Sequence, residues 1–105
     1  MARITTNGRI ILESGSIAQH DTPDVYAHGE YNPFDETWLV KITLTKPGVG
    51  ASAIYADSYI RYTKAAIDAY TGTGTGDTAK IQNALLQAVK ATLLALNASI
   101  TFTIA

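Results

Sequence analysis

A chain of 105 residues with no cysteine and a formal net charge of −1 has the length of a single domain. It excludes a disulfide framework, a thiolate metal site and an all-over basic nucleic-acid binder. Charged residues make up 16% against the usual quarter, which suggests that a partner covers some of the surface, and the charge is unevenly spread: residues 13–36 hold six acids and no Lys or Arg, whereas 38–64 hold four bases and one acid, Asp57.

The first ten residues, MARITTNGRI, carry charge but no long apolar run, so no signal peptide is predicted. Nor is any apolar run near the ~20 residues that a bilayer requires, so a soluble chain made in a cytosol is expected. Residues 3–13, RITTNGRIILE, predict a β-hairpin. Asn7-Gly8 tolerates the positive φ angles of a two-residue turn, and β-branched residues flank it. Turn-forming residues dominate 14–24, and VYAHGEY at 25–31 alternates enough for a short strand. NPFDE then turns the chain, because Pro33 restricts Asn32 and cannot donate a ladder hydrogen bond.

Residues 37–45, TWLVKITLT, predict a strand with two unlike faces. Trp38, Val40, Ile42 and Leu44 form a core face; Leu39, Lys41, Thr43 and Thr45 form a mostly polar one. After the KPGVG break, 53–63 (AIYADSYIRYT) predict an antiparallel neighbour, since the break is too short for a parallel crossover. Tyr55, Asp57, Tyr59 and Arg61 fall on one side of it; Ala56, Ser58, Ile60 and Tyr62 fall on the other. TGTGTGDT at 71–78 is of low complexity and predicts a flexible loop.

A helix is predicted over 79–96, capped by Asp77 or Thr78 and stopped by Asn97. Its apolar residues Ile81, Leu85, Leu86, Ala88, Val89, Leu93 and Leu96 cover roughly 160°, more than the about 100° that one sheet requires. The surplus points to a second contact, such as a helix of another chain. SITFTIA then alternates as a final strand or docked tail. Strands first and a helix after them predict an α+β fold, with the helix on one face of an antiparallel sheet.

Four constellations bear on chemistry. His20, Asp21, Asp24, His28 and Glu30 are of metal-ligating type, but their spacing matches no helical His pair, and a solvated acidic loop accounts for them. No serine lies in a G-x-S-x-G elbow, which argues against an enzyme. The glycine-rich segment before the helix lacks a Walker lysine, so no nucleotide cofactor is expected. The polar strand face is the fourth. Lys41 and Thr43 neighbour Tyr55, Asp57, Tyr59 and Arg61, so rings that stack on unpaired bases stand beside cations that meet phosphates. An ordinary solvent face of cross-strand pairs uses similar residues.

The segments WLVKITLTKP (38–47) and IYADSYIRYT (54–63), with the YAD triplet Tyr55-Ala56-Asp57 and the late Leu/Ala-rich helix, resemble the coat proteins of single-stranded RNA bacteriophages. The resemblance covers roughly residues 1–96. It implies an N-terminal hairpin, an antiparallel sheet and an obligate homodimer. Two sheets would join into one, and the helix of each chain would lie over the other chain in an intertwined pair. Such dimers close into an icosahedral shell, in the virion and assembled in the bacterial cytoplasm, with the sheet facing single-stranded genomic RNA. The same face represses translation through an RNA hairpin in that family. By position, Tyr55 corresponds to a base-stacking tyrosine, Asp57 to a neighbouring polar position, and Lys41 and Thr43 to positions facing RNA; Tyr59 and Arg61 continue the face. The chain is shorter than its relatives, DAYTGTGTGD looks inserted, and SITFTIA replaces the second helix. Two other readings differ in class: a small dimeric RNA-binding regulator that forms no shells, and an enzyme built on the 20–30 segment.

Overall fold

A computed structural model of the chain describes residues 3–13, 16–17, 22–47 and 54–104, with the backbone alone described at positions 13, 16, 17 and 54–56. The strands are β1 (Ile4–Thr6), β2 (Ile11–Glu13), β3 (Ser16–Ile17), β4 (Asp24–Asn32), β5 (Thr37–Thr45), β6 (Ile54–Thr63) and β7 (Phe102–Ile104). The helices are α1 (Lys64–Asp68) and α2 (Asp77–Leu96). Five strands form one antiparallel sheet in the order β6-β5-β4-β1-β7, and β2 and β3 form a separate pair. The architecture is α+β, with α2 laid across one side of the sheet.

The two-residue period of β5 decides which side is covered. Val40, Ile42 and Leu44 are buried, together with Val25 and Ala27 of β4 and Ile4 of β1. Leu85, Leu86, Val89 and Leu93 of α2 close the core over them. Each fully buried aliphatic side chain here contributes about 1.5–3 kcal/mol relative to exposure.

The hairpin expected over 3–13 does not form. β1 pairs with β4 and β7, and β2 pairs with β3, so the two strands flanking Asn7-Gly8 join different sheets. Asn7 Oδ1 accepts from Thr101 N (2.9 Å), and Thr6 Oγ1 donates to the Pro23 carbonyl (2.7 Å). These distant partners, and the complete burial of Ile10, override the local turn preference. SITFTIA, expected as a strand or docked tail, is a strand of this chain's own sheet: Ile4, Thr5 and Thr6 face Ile104, Thr103 and Phe102.

The helix also departs from expectation at its start. Asp77 lies inside its first turn, where a carboxylate suits the helix dipole, and the cap is Gly76, with φ 86° and no side-chain capping bond. The TGTGTG segment is laid down on α2. Thr73 N donates to Asn83 Oδ1 (3.2 Å), and Gln87 Nε2 donates to the Thr71 carbonyl (2.8 Å). A Cβ on Gly72 would stand 1.9 Å from the Lys80 carbonyl oxygen, so close approach requires glycine there. The surplus apolar arc of α2 is met largely within the chain, by α1 with buried Ile67 and by β2 and β7. Ile81 and Leu94 remain exposed.

Tyr62 ties β6 to the helix. Its hydroxyl shares a 2.7 Å hydrogen bond with Thr92 Oγ1 and donates to the Ala88 carbonyl at 3.3 Å. Burial pushes the phenol above its ordinary 10.0, with the Thr92 bond acting against that. A raised folded value means that this contribution to stability is complete below pH 10 and is lost as pH rises through the folded value. Tyr62→Phe is expected to cost about 1 kcal/mol at pH 7, because Thr92 can turn its proton to the Ala88 carbonyl, 3.1 Å away, once the phenol is gone. It should also blunt the alkaline fall in stability, as denaturant titrations at pH 7 and above 10 will show.

Candidate nucleic-acid interface

The side of the sheet away from α2 is built from cross-strand rungs. Tyr26, Thr43 and Asp57 form one; His28, Lys41 and Tyr59 the next; then Glu30, Leu39 and Arg61; then Asn32, Thr37 and Thr63. The structure therefore brings five of the six sequence-predicted residues, Lys41, Thr43, Asp57, Tyr59 and Arg61, onto one face. Tyr55 lies in β6 at a register break: Leu44 faces Ala56 but Thr45 faces Ile54, which leaves Tyr55 as the extra residue of a bulge. Alternation counted from Asp57 does not carry through such a break. The Tyr55 side chain lies outside the described residues.

The face is not open along its whole length. Asp24, Tyr26 and Thr45 at one end are buried, and Asp24 Oδ2 is ion-paired with Arg3, whose Nε lies 3.2 Å away. The exposed part begins at Asp57 and His28. Tyr59 stands midway along the edge strand β6 and is 61% exposed. Beside it lies a depression of about 370 Å³ lined by His28, Glu30, Leu39, Lys41 and Tyr59.

Charge on this face is paired rather than uniformly positive. Lys41 Nζ is 3.8 Å from Asp57 Oδ2, and His28 Nε2 is 3.9 Å from Glu30 Oε1. Arg61 Nη1 donates to Thr37 Oγ1 (3.2 Å), which donates to Asp35 Oδ1 (2.8 Å). An exposed ion pair of the Lys41–Asp57 kind is worth roughly 0–1 kcal/mol, and the Arg61–Thr37 contact is an exposed hydrogen bond, so both cations can exchange these partners for phosphate at little cost. The chemistry offered is one exposed ring for stacking, two weakly held cations, and carboxylates that accept from base amino groups.

The sequence places His28 and Glu30 in the short strand 25–31 and among the metal-ligating types, and names neither as an interface residue. The alternation within β4 was the signal for their place: Val25, Ala27, Gly29 and Tyr31 face the helix, so the even-numbered residues join the other face. Of the other residues in that group, His20 and Asp21 lie outside the described residues, and Asp24 is engaged by Arg3. Among the described residues, no group of three or more His, Cys, Asp or Glu side chains could hold a metal ion, and no helix is long and apolar enough to cross a membrane.

One edge of the sheet adjoins this face. Among the described residues, no strand pairs with the outer edge of β6, which is ten residues long. On its helix side a cleft of about 400 Å³ is lined by Leu12, Ser58, Ile60, Thr92 and Leu96, among others. No known family model, curated protein or solved structure matches this chain.

Proposed function

We propose that this chain is a coat-type structural protein that pairs with itself through β6 and holds single-stranded RNA on the open face of the joined sheet. The observation that carries the reading is the exposed Tyr59 ring, with Lys41 as its cross-strand partner and Arg61 two residues along. The outer edge of β6, which has no partner strand among the described residues, supports the dimer. A bare strand of that length is a template for pairing, and antiparallel addition of a second β6 is self-complementary about a two-fold axis. The resemblance of residues 38–47 and 54–63 to phage coat proteins supplies the shell and the repression of translation; the fold and the face are compatible with both.

Tyr59→Ala should weaken binding of an unstructured RNA by about 5- to 100-fold, the equivalent of one lost stacking contact, with the dimer unchanged. Tyr55→Ala should act in the same direction, as its correspondence to the family's stacking tyrosine implies. With two cations per chain on the face, the salt dependence should be shallow, about −1.4 in log–log slope per chain. Unchanged affinity in both variants removes the face from the RNA site. Electron microscopy of the purified protein should show closed shells carrying nucleic acid. A monodisperse monomer would sink the assembly reading, and RNA-binding dimers that never close would replace the shell with a small dimeric regulator.

A further inference from the structure

The hairpin joining β4 to β5 carries Phe34 at its tip, 97% exposed. A phenyl ring held wholly in water is a cost unless something covers it, and this one is held firmly. Asn32 Oδ1 accepts from Phe34 N (2.9 Å), Thr37 Oγ1 donates to Asp35 (2.8 Å), and the Glu36 carbonyl accepts from Lys64 N (2.9 Å). These bonds brace the turn, so its backbone has little entropy to lose when the tip docks, and the cost left is that of the ring's own rotamers.

The same chain contains a socket of matching character. A cavity of about 290 Å³ lies between β5, α1 and the start of α2, walled by Trp38, Ile67, Tyr70, Ile81 and Ala84. Ile81 is 45% exposed at it, so the apolar wall is open to solvent. Lys80 and Asp68 also line it, and Asp68 is already paired with Lys64. That leaves Lys80 as the cation opposite whatever enters, and the tip beside Phe34 carries Asp35 and Glu36. Ring matches cavity and acid matches base, while Phe34 fills no pocket of its own chain.

We propose that the Phe34 tip of one chain docks in the Trp38–Ile81 cavity of a second copy. The contact rests on the self-association half of the proposed function and not on RNA. It uses neither the β6 edge nor the open sheet face, so it gives the chain a further surface through which dimers can link.

Trp38 is the only tryptophan in the chain, so its emission reports the cavity directly. The test follows Trp38 emission and sedimentation of the full chain across concentration, for wild type, Phe34→Ser and Ile81→Glu. The second variant places a carboxylate where the acidic tip arrives. Wild type should show a blue shift as concentration rises. Either variant should lose the shift and weaken this self-association roughly ten-fold or more, with unchanged far-UV circular dichroism and melting temperature. Mixing the two variants should restore one contact per pair, since Phe34→Ser keeps the cavity and Ile81→Glu keeps the tip. If shells form equally well from Phe34→Ser and Trp38 emission is unmoved, this contact is wrong and the proposed function stands. If Trp38 emission follows concentration and Phe34 while no RNA-bearing shell forms, the contact stands and the shell reading falls.

Discussion

Asn97→Asp is expected to destabilise the fold by about 3–5 kcal/mol at pH 7. Asn97 is 6% exposed and makes three hydrogen bonds. Its Oδ1 accepts from Ile11 N (2.6 Å), and its Nδ2 donates to the carbonyls of Ile11 (2.8 Å) and Leu93 (2.9 Å). One side chain thus holds β2 against the end of α2 and satisfies a carbonyl of the last helical turn. Aspartate keeps the shape but replaces the donor with a carboxylate aimed at two carbonyl oxygens. Two acceptors lose their partner, and a charge is buried with no cation among these contacts.

The pH dependence of that deficit separates the charge from the lost hydrogen bonds. Burial and facing carbonyls raise the folded pKa of the new carboxyl above its unfolded value. Its relative stability is therefore fullest below the unfolded value, about pH 4, and is lost as pH rises through the folded one. A protonated carboxyl also returns one donor. Urea titrations of both proteins from pH 4 to 7 should show the gap widening with pH. A gap that is flat over this range would mean that the carboxylate escapes to water, and that Asn97 serves mainly to fill space.

How far the sequence could be read depended on whether a segment's partners were local. The alternation of Trp38, Val40, Ile42 and Leu44 is complete in nine residues, and β5 has the predicted bounds, 37–45. The helix was legible for the same reason, to within two residues at its start. Asn7-Gly8 misled because the strand before it, β1, pairs with Val25 of β4 and with Phe102–Ile104 of β7, while the strand after it pairs with β3, and no local turn preference contains those distant partners. Much of the surplus arc on α2 is met within the chain, although Ile81 and Leu94 stay exposed. α1, which takes part of it, is five residues long and too short for periodicity to reveal. On the open face, Lys41, Thr43, Asp57, Tyr59 and Arg61 followed from counting by twos. His28 and Glu30 escaped because their place beside Lys41 and Leu39 depends on how β4 pairs with β5, which strand alternation alone does not give. The bulge at Tyr55 was invisible because it depends on how β5 and β6 pair.

The two sides of the sheet consequently respond to substitution in different currencies. On the open side, side chains are held by long ion pairs and exposed hydrogen bonds, so changes at Lys41, Tyr59 or Arg61 should alter binding more than stability. On the covered side, a single methyl group in the wrong place meets the helix.

Gly29→Val should cost about 2–3 kcal/mol for that reason. Gly29 lies on the helix side of β4, where the series Val25, Ala27, Gly29 reaches its smallest member beneath α2. A Cβ there would stand 2.7 Å from Leu85 Cδ1 and 3.1 Å from Trp38 Cε3. Valine is the better strand former, which offsets at most about 1 kcal/mol, so the steric term decides the sign. Leu85 is 2% exposed, so its side chain cannot swing into solvent to relieve the overlap without opening the core. Leu85→Ala alone should cost about 2–5 kcal/mol by leaving a cavity. The double variant Gly29→Val/Leu85→Ala should be more stable than the sum of the two losses by at least about 1 kcal/mol, because each change supplies what the other lacks. Chemical denaturation of the four proteins measures that coupling. Strict additivity would show that α2 rides at a different height over β4, and that glycine at 29 answers to the backbone rather than to Leu85.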